Sequence, residues 1–474
     1  MTGTARFAGN PWFKTGACWL ALSAPAMASP RASQNGPSFI LQTAAQDSPQ
    51  RPALSAAGLQ AWVKTEHGWQ EVPVQVDERD KNGDYVLENG IPFTAHGGDG
   101  LLNGSDEIVF ALPAGSIDFS QDQAIKKLQQ AGAGLEGRRA LTGWTVNLLS
   151  STSGARQRSF QVLITNNPQS RSLPRPQVTF DPAAHTVTTS SYRYTFNSTN
   201  PAAVGELSLT RSRTEGGSTK GQPELPAGGI NQGGGFAVWL RPPWGFPALH
   251  RSDRDLNGAI ESWRAGPVRA IVAVGSRYSA LWSTINAHLF SELVFYRDRF
   301  QIPSVIDITF SPDRLLGHGS GFAYGMKLAN SETTGIQLNK RFPGEISARH
   351  PSGLVLRART DPALVAAGVA PAVWIDPGKT ISGRQNVGDP EQDIPAEVAA
   401  WFRQTSANIG FFVDISRMKK GRYDFSLDLE SQGEANLPHT DFLICKSVWT
   451  PLDSMKSAKT VAPVPKQESK AQHK

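Results

Sequence analysis

The chain has 474 residues, 39% of them hydrophobic and 19% charged, and a formal net charge of +6. That length allows more than one core of the usual ~100–150-residue domain, and the apolar content excludes a disordered chain. The charge is terminal: Arg6 and Lys14 put +2 before residue 29, five Lys against Glu468 put +4 after residue 454, and the neutral body between lacks the basic face of a nucleic-acid-binding fold.

Residues 1–28 have the pattern of a secretory signal peptide. Arg6 and Lys14 are followed by a short apolar stretch from Thr15 to Leu22, and Ala26-Met27-Ala28 is a small-x-small cleavage site before Ser29. The expected location is therefore periplasmic or secreted. No later stretch reaches the ~18 apolar residues needed to span a bilayer. With only Cys18 and Cys445, the exported chain would hold no internal disulfide and no Cys-based metal site.

Residues 29–57 read as a flexible leader rich in Ser, Gln, Ala and Pro. An N-terminal β domain is expected over 58–210, opening with a hairpin of Leu59 to Val63 and Trp69 to Val76 turned through His67-Gly68. Val72, Val74 and Val76 fall on one face of its second arm. Asp118 to Ala131 has helical character with Ser120 as N-cap. Tyr192, Tyr194 and Phe196 alternate as in a half-buried strand. The Gly, Ser and Pro-rich stretch 211–235 is the expected boundary, followed by a C-terminal β-sandwich domain over 236–452 and a disordered basic tail over 453–474. The strongest strand signals lie in Gly266 to Gly275, Ser291 to Phe300 and Val305 to Phe310. Asp393 to Arg403 has an acidic start and an early Pro, which mark a helix. Gly 45 and Pro 33 suit many short strands joined by turns. The expected fold class is all-β: packed antiparallel sheets in a β-sandwich or supersandwich, with two or three short peripheral helices.

The sharpest motif is Asp253-x-Asp255-x-Asn257-Gly258-x-Ile260-Glu261. Hard oxygen donors at alternate positions around a Gly-assisted turn suit calcium, and the stretch resembles the first nine positions of an EF-hand or dockerin-type loop. It departs at the last position, where Arg264 replaces the bidentate acid. Its alternative is a solvated acidic turn held by Asp side-chain hydrogen bonds. Asp80, Asn82 and Asp84 form a weaker version, as do Asp99, Asn103, Asp106 and Glu107. Trp239, Trp244 and Trp263 are candidate sugar-stacking residues, because flat aromatic faces pack on pyranose rings; the alternative is aromatic core cover. No nucleophile motif or Walker-type loop occurs. His250, Arg251, Tyr278 and Arg297 are the central residues with chemistry suited to a base or a carboxylate partner. His318 stands out only for its flanking Gly317 and Gly319.

The run Trp263 to Gly275, then Leu293 to Tyr296 and Ile302 to Phe310, resembles a strand pattern of mutarotase-like supersandwich domains, including those of secreted rhamnogalacturonan-lyase-like proteins. The resemblance implies a large β-sandwich that binds or acts on carbohydrate; its catalytic residues find no matching positions here. The expected function is an exported, calcium-stabilised protein binding a polysaccharide or another cell-envelope component. The alternatives are a polysaccharide lyase or hydrolase on the same fold, and a non-enzymatic structural or assembly protein of the envelope.

Overall fold

A computed structural model describes residues 21–22, 38–42, 58–65, 68–80, 84–91, 98, 100–102, 106–111, 143–151, 158–166, 176–209, 231–242, 248–255, 257–280, 283–308, 312–328, 336–342, 344–349, 354–360, 362–376, 381–385, 394–419, 421–431 and 444–451. The expected helix at 118–131 lies outside these residues. The chain divides into two units: one of 1–27, 79–98 and 176–438, the other of 28–78, 99–175 and 439–474. The stretch 211–235 lies within a single segment of the first unit, 176–438. The physical reason is sheet continuity, since Leu207 pairs with Asn231 across that stretch.

The second unit carries two antiparallel sheets. One has five strands in the order Ile444–Pro451, Gly143–Ser151, Arg158–Asn166, Leu59–Thr65, Gly68–Val72. The other has three: Ser38–Gln42, Glu107–Ala111, Val74–Asp77. The expected hairpin is present as far as Val72, which lies opposite Ala61, both buried; beyond Pro73 the expected second arm leaves it, and Val74 and Val76 pair in the three-stranded sheet.

The larger unit contains the long ladders. Arg269–Ala280 pairs with Ser283–Tyr296 from Arg269↔Tyr296 to Ala280↔Ser283, and a two-residue turn, Arg297-Asp298, leads into Arg299–Ile308. These β-branched and aromatic runs sit in a sheet that continues through Gly421–Ser431, Leu354–Thr360, Glu345–Arg349 and Ile336–Phe342. Asn257–Ala265 and then Asn89–Gly90 flank it on the other side. Gly90 lies at φ +88°, and a Cβ there would strike the Glu261 and Ser262 backbone. Only glycine allows the edge pair Ser262↔Gly90 to close.

A second sheet runs Val178–Asp181, Thr186–Thr189, Tyr192–Phe196, Val204–Leu209, Asn231–Leu240, Gly321–Leu328, Ile409–Asp414, Ala372–Ile375, with Leu249–Ser252 paired to Asn231–Leu240. The two sheets bury one shared core. Ala270, Val272, Leu293, Phe295, Phe300, Leu356 and Leu427 come from the first, and Val187, Tyr194, Phe196, Met326 and Phe411 from the second. Residues two apart on each strand supply these contacts, as the pleat requires. Tyr194 meets Phe295 and Phe300 edge-on, each at 4.9 Å. Tyr192 reaches the same region with its hydroxyl, 2.7 Å from the Tyr296 carbonyl and 2.9 Å from that of Arg299. The opposite face of the first sheet also carries largely buried charged pairs: Asp428 lies 2.9 Å from Arg359, and Glu345 sits 3.2 Å from Arg359 and 3.5 Å from Arg357. Opposite charges offset one another where burial would otherwise penalise each.

The outer face of the second sheet is covered by the helix Ala396–Gln404, in the region expected from sequence. Val398, Ala399, Trp401 and Phe402 are buried against Ala237, Trp239, Ala323, Trp374 and Phe412. Beneath the helix three glycines stand in cross-strand register: Gly235 opposite Gly325, and Gly325 opposite Gly410. A Cβ at Gly235 would lie 3.0 Å from the Trp401 ring, one at Gly325 3.1 Å from Phe402, and one at Gly410 closer still to Phe402. The bare backbone row is the seat that lets two aromatic rings lie on the sheet.

Candidate functional site

One end of the second sheet gathers the most chemistry. Three antiparallel neighbours meet there: the end of Asn231–Leu240, the start of Gly321–Leu328 and the end of Ile409–Asp414. Cross-strand pairing places His250, Trp239, Gly321 and Asp414 in one row. Arg241 follows the first strand and pairs with Glu397 in the first turn of the helix. The loop 317–320 is bolted to both neighbours. Gly317 N–H donates to the Arg241 carbonyl at 2.7 Å, Arg241 N–H to Ser320 Oγ at 2.9 Å, and Ile415 N–H to the Ser320 carbonyl at 2.8 Å. Gly319, at φ +86°, leaves room for the Arg241 guanidinium and Pro395.

Asp414 accepts Gly319 N–H at 3.0 Å and Ser416 N–H at 2.8 Å. Its Oδ2 is also 3.7 Å from His318 Nδ1, and the His318 side chain is 71% exposed. Thus two pairs, Arg241–Glu397 and His318–Asp414, sit at the same strand end on four segments, with the imidazole open to solvent. The carboxylate lies on the Nδ1 side of the ring, and the exposed imidazole offers its other edge to solvent.

Of the sequence-derived candidates, His250 and Trp239 belong to this region, but not as an open platform. Trp239 is 2% exposed. One ring face carries His250, stacked at 4.8 Å and 22°, and Trp401 meets it edge-on at 5.6 Å. Its role as a sugar-stacking surface is corrected by that burial: the helix and His250 already occupy its faces. Trp263 is only partly buried, packed against the core edge-on to Phe180 at 5.8 Å. Trp244 lies outside the described residues. Burial lowers the His250 pKa, while Asp255 pulls it up and Arg251 adds to the lowering.

The four catalytic candidates are not brought together. Arg251 spends Nη1 on the His250 carbonyl at 2.8 Å. Tyr278 pairs with Ala287, whereas Arg297 follows Tyr296 at the opposite end of the same hairpin, where Tyr296 meets Arg269. Nine residues of strand separate those ends, roughly 30 Å at the extended rise. Both lie in the first sheet, whereas His250 is in the second.

The acidic motif folds as a short 3-10 turn, Asp253–Asp255, with the strand starting at Asn257. Asp255 Oδ2 accepts Ser252 N–H at 2.8 Å and Ser252 Oγ–H at 3.0 Å. The backbone donor of Ser252 holds the Asp255 carboxyl below its usual range. Burial raises that of Asp253, against which the Phe236 N–H works. Glu261 is a strand residue whose carbonyl accepts Ile91 N–H at 2.8 Å. Asp80 Oδ1 accepts Asp84 N–H at 2.9 Å. Asp106 and Glu107 are fully buried, with Glu107 opposite Asp77. Asn82, Asp99 and Asn103 lie outside the described residues, as does the Asn257 side chain. Among the described residues, no three or more His, Cys, Asp or Glu side chains gather as a metal cluster.

Arg241, Asp414 and Glu397 were not distinguishable in the sequence, because more than 150 residues separate Arg241 from the others. His318 between two glycines was the one visible signal.

No family model matches the chain, and no curated protein matches its sequence. Among solved structures, an alpha-mannosidase from Enterococcus faecalis is 6% identical, with a TM-score of 0.31 over 84% of this chain and 47% of its own. A glycosyl hydrolase family 38 protein from the same organism is 7% identical, with a TM-score of 0.32 over 84% of this chain and 48% of its own. A protein from Synechocystis sp. PCC 6803 is 11% identical, with a TM-score of 0.26 over 56% of this chain and 99% of its own. The chain spans about half the length of the two Enterococcus structures. Likeness at this level assigns neither a family nor an activity, and the mutarotase-like pattern of residues 263–310 stays a resemblance of sequence alone.

Proposed function

We propose that this is an exported β-sandwich protein that binds a carbohydrate or another hydroxyl-rich cell-envelope ligand at the strand-end cluster of Arg241, His318, Asp414 and Glu397. The observation that carries the reading is the presence of both pairs at one accessible strand end, with Arg241 32% and Glu397 39% exposed and the His318 imidazole exposed as well. Carboxylates accept from sugar hydroxyls, and guanidinium and imidazole N–H groups donate to them. The pairs already formed keep those groups oriented before the ligand arrives, which lowers the ordering cost of binding. Export rests on the pattern of residues 1–28.

A second reading, a polysaccharide lyase or hydrolase, is favoured by one specific observation: His318 is exposed beside a carboxylate that is itself held by two backbone amides. That is how a general base is kept in register.

The test is a glycan array on the wild-type chain, followed by calorimetric titration of the best oligosaccharide into wild type, Arg241→Ala and His318→Ala. Both variants are expected to lose at least about tenfold in affinity, which is about 1.4 kcal/mol. Wild-type affinity in both variants would place the ligand elsewhere. Product release that disappears only with His318→Ala would favour the enzymatic reading.

A further inference from the structure

We propose that His250 is a proton-sensitive latch on the hairpin formed by Asn231–Leu240 and Leu249–Ser252. When neutral, it closes the edge strand onto Trp239; when protonated, it lets that strand go.

The edge strand has little else to hold it. Among the described residues it pairs only with Asn231–Leu240, through four residue pairs from Ala237↔Ser252 to Leu240↔Leu249. Leu249 is exposed, so the strand brings little apolar burial of its own. Its principal side-chain anchor is the imidazole stacked on the buried indole of Trp239 at 4.8 Å and 22°. That indole is fixed in turn by Trp401 and Phe412, edge-on at 5.6 and 6.3 Å. His250 Nε2 is buried with no hydrogen-bond partner among the described residues. A neutral ring tolerates this with Nε2 as an idle acceptor. An imidazolium places a donor and a charge at the same atom, where nothing accepts it.

The charges around the ring do not rescue the protonated form. On the hairpin itself, Arg251 stays beside His250, and the Asp255 carboxylate is engaged by Ser252. On the facing arm Arg241 is paired with Glu397 of the helix, whose other charge, Arg403, lies over Trp374. On the strands beyond Trp239, Asp414 is committed to His318 and two amides, and Lys327 adds only positive charge. Stacking on an indole face favours a cation, and Asp255 pulls the same way. Burial opposes both and is the largest influence, so the folded state prefers the neutral ring. That preference stabilises the hairpin fully above the unfolded pKa of about 6.5. It is lost as the pH falls below that value, through the lowered folded pKa.

The experiment is hydrogen exchange of the full chain read by mass spectrometry between pH 7.5 and 5, with rates normalised to intrinsic exchange. Protection of amides 249–252 is expected to fall at least about tenfold in wild type, corresponding to about 1.4 kcal/mol. It should change less than about twofold in His250→Phe, which keeps a stacking ring that takes no proton. Equal loss in wild type and His250→Phe, or protection kept by wild type through pH 5, would overturn the proposal. His250→Gln provides a second check if the Phe ring fails to seat. It should show low protection at every pH, and a wild-type pH profile in that variant would count against the latch.

Discussion

The two tyrosines of the Tyr192–Phe196 strand give a paired test of how the sandwich core is held. Tyr192 and Tyr194 are neighbours on one face, equally buried, and both ionise with difficulty because burial raises their pKa values. Each stays a neutral phenol through any ordinary pH. They differ in their hydroxyls. Tyr192 donates to the carbonyls flanking the Arg297-Asp298 turn, at 2.7 and 2.9 Å, whereas the Tyr194 hydroxyl has no partner among the described residues. Tyr192→Phe keeps the ring and removes the donor that serves both carbonyls. The net cost of losing a typical intramolecular hydrogen bond is about 0.5–1.5 kcal/mol. Tyr194→Phe removes a hydroxyl that was itself unsatisfied and should be neutral or stabilising. For a domain of this size 1 kcal/mol moves the melting temperature by about 2–4 °C. Tyr192→Phe should therefore melt about 1–6 °C lower, and Tyr194→Phe no lower than wild type. Scanning calorimetry of both, with urea titration to confirm an unchanged m-value, makes the comparison. Equal destabilisation by the two variants would refute the reasoning, since ring packing would then dominate and the clamp across the turn would be energetically silent.

Gly410→Ala should cost about 1–3 kcal/mol by urea denaturation through overpacking against Phe402, and Gly410→Ala with Phe402→Leu should recover part of it; no recovery would move the cause to the backbone. The Arg241–Glu397 pair is partly exposed. A double-mutant cycle on thermal stability should therefore give a coupling below about 1 kcal/mol, so that a larger ligand-binding loss in Arg241→Ala reads as function. Asp255 is depressed by its Ser252 donors, so its stabilising effect is present above an unfolded pKa of about 3.9 and disappears as acid protonates it; Asp255→Asn should flatten the acid limb of the stability–pH curve, and an unchanged limb would count against the turn. A structural calcium at Asp253 to Glu261 predicts a melting temperature higher in calcium than in chelator, with that difference reduced in Asp255→Ala; identical melting in the two buffers removes the ion from the loop.

The strand ladders were legible because their cause is local. The β-branched run Arg269 to Val274 and the partner Leu293 to Tyr296 announce a pleated surface without reference to the rest of the chain. The Asp393 to Arg403 helix was legible for the same reason, through its acid, Pro and apolar spacing. What it covers was not. Trp239 reads the same in sequence whether solvent, a sugar or Trp401 lies on its ring; only the packing of a helix some 160 residues later decides it. The division of the chain was hidden by a similar non-local effect, because a Gly-rich stretch looks like a linker even when the strands at its two ends belong to one sheet. The acidic motif shows the limit of spacing. The same residues serve a calcium loop or a self-bonded turn, and the spacing does not announce Ser252, whose backbone and hydroxyl both donate to Asp255.

The bare row of Gly235, Gly325 and Gly410 has a consequence for how this chain can vary over evolution. A side chain at any of the three meets Trp401 or Phe402, so the three positions and the two helix positions form one unit of inheritance. Relatives that keep both rings should keep all three glycines. A relative with a residue bearing Cβ in the row should have exchanged the ring above it for a smaller side chain, or have lost the helix. In a relative of the last kind, the ring face of Trp239 now met by Trp401 would lie bare, and a closed core surface would become a place where a ligand stacks.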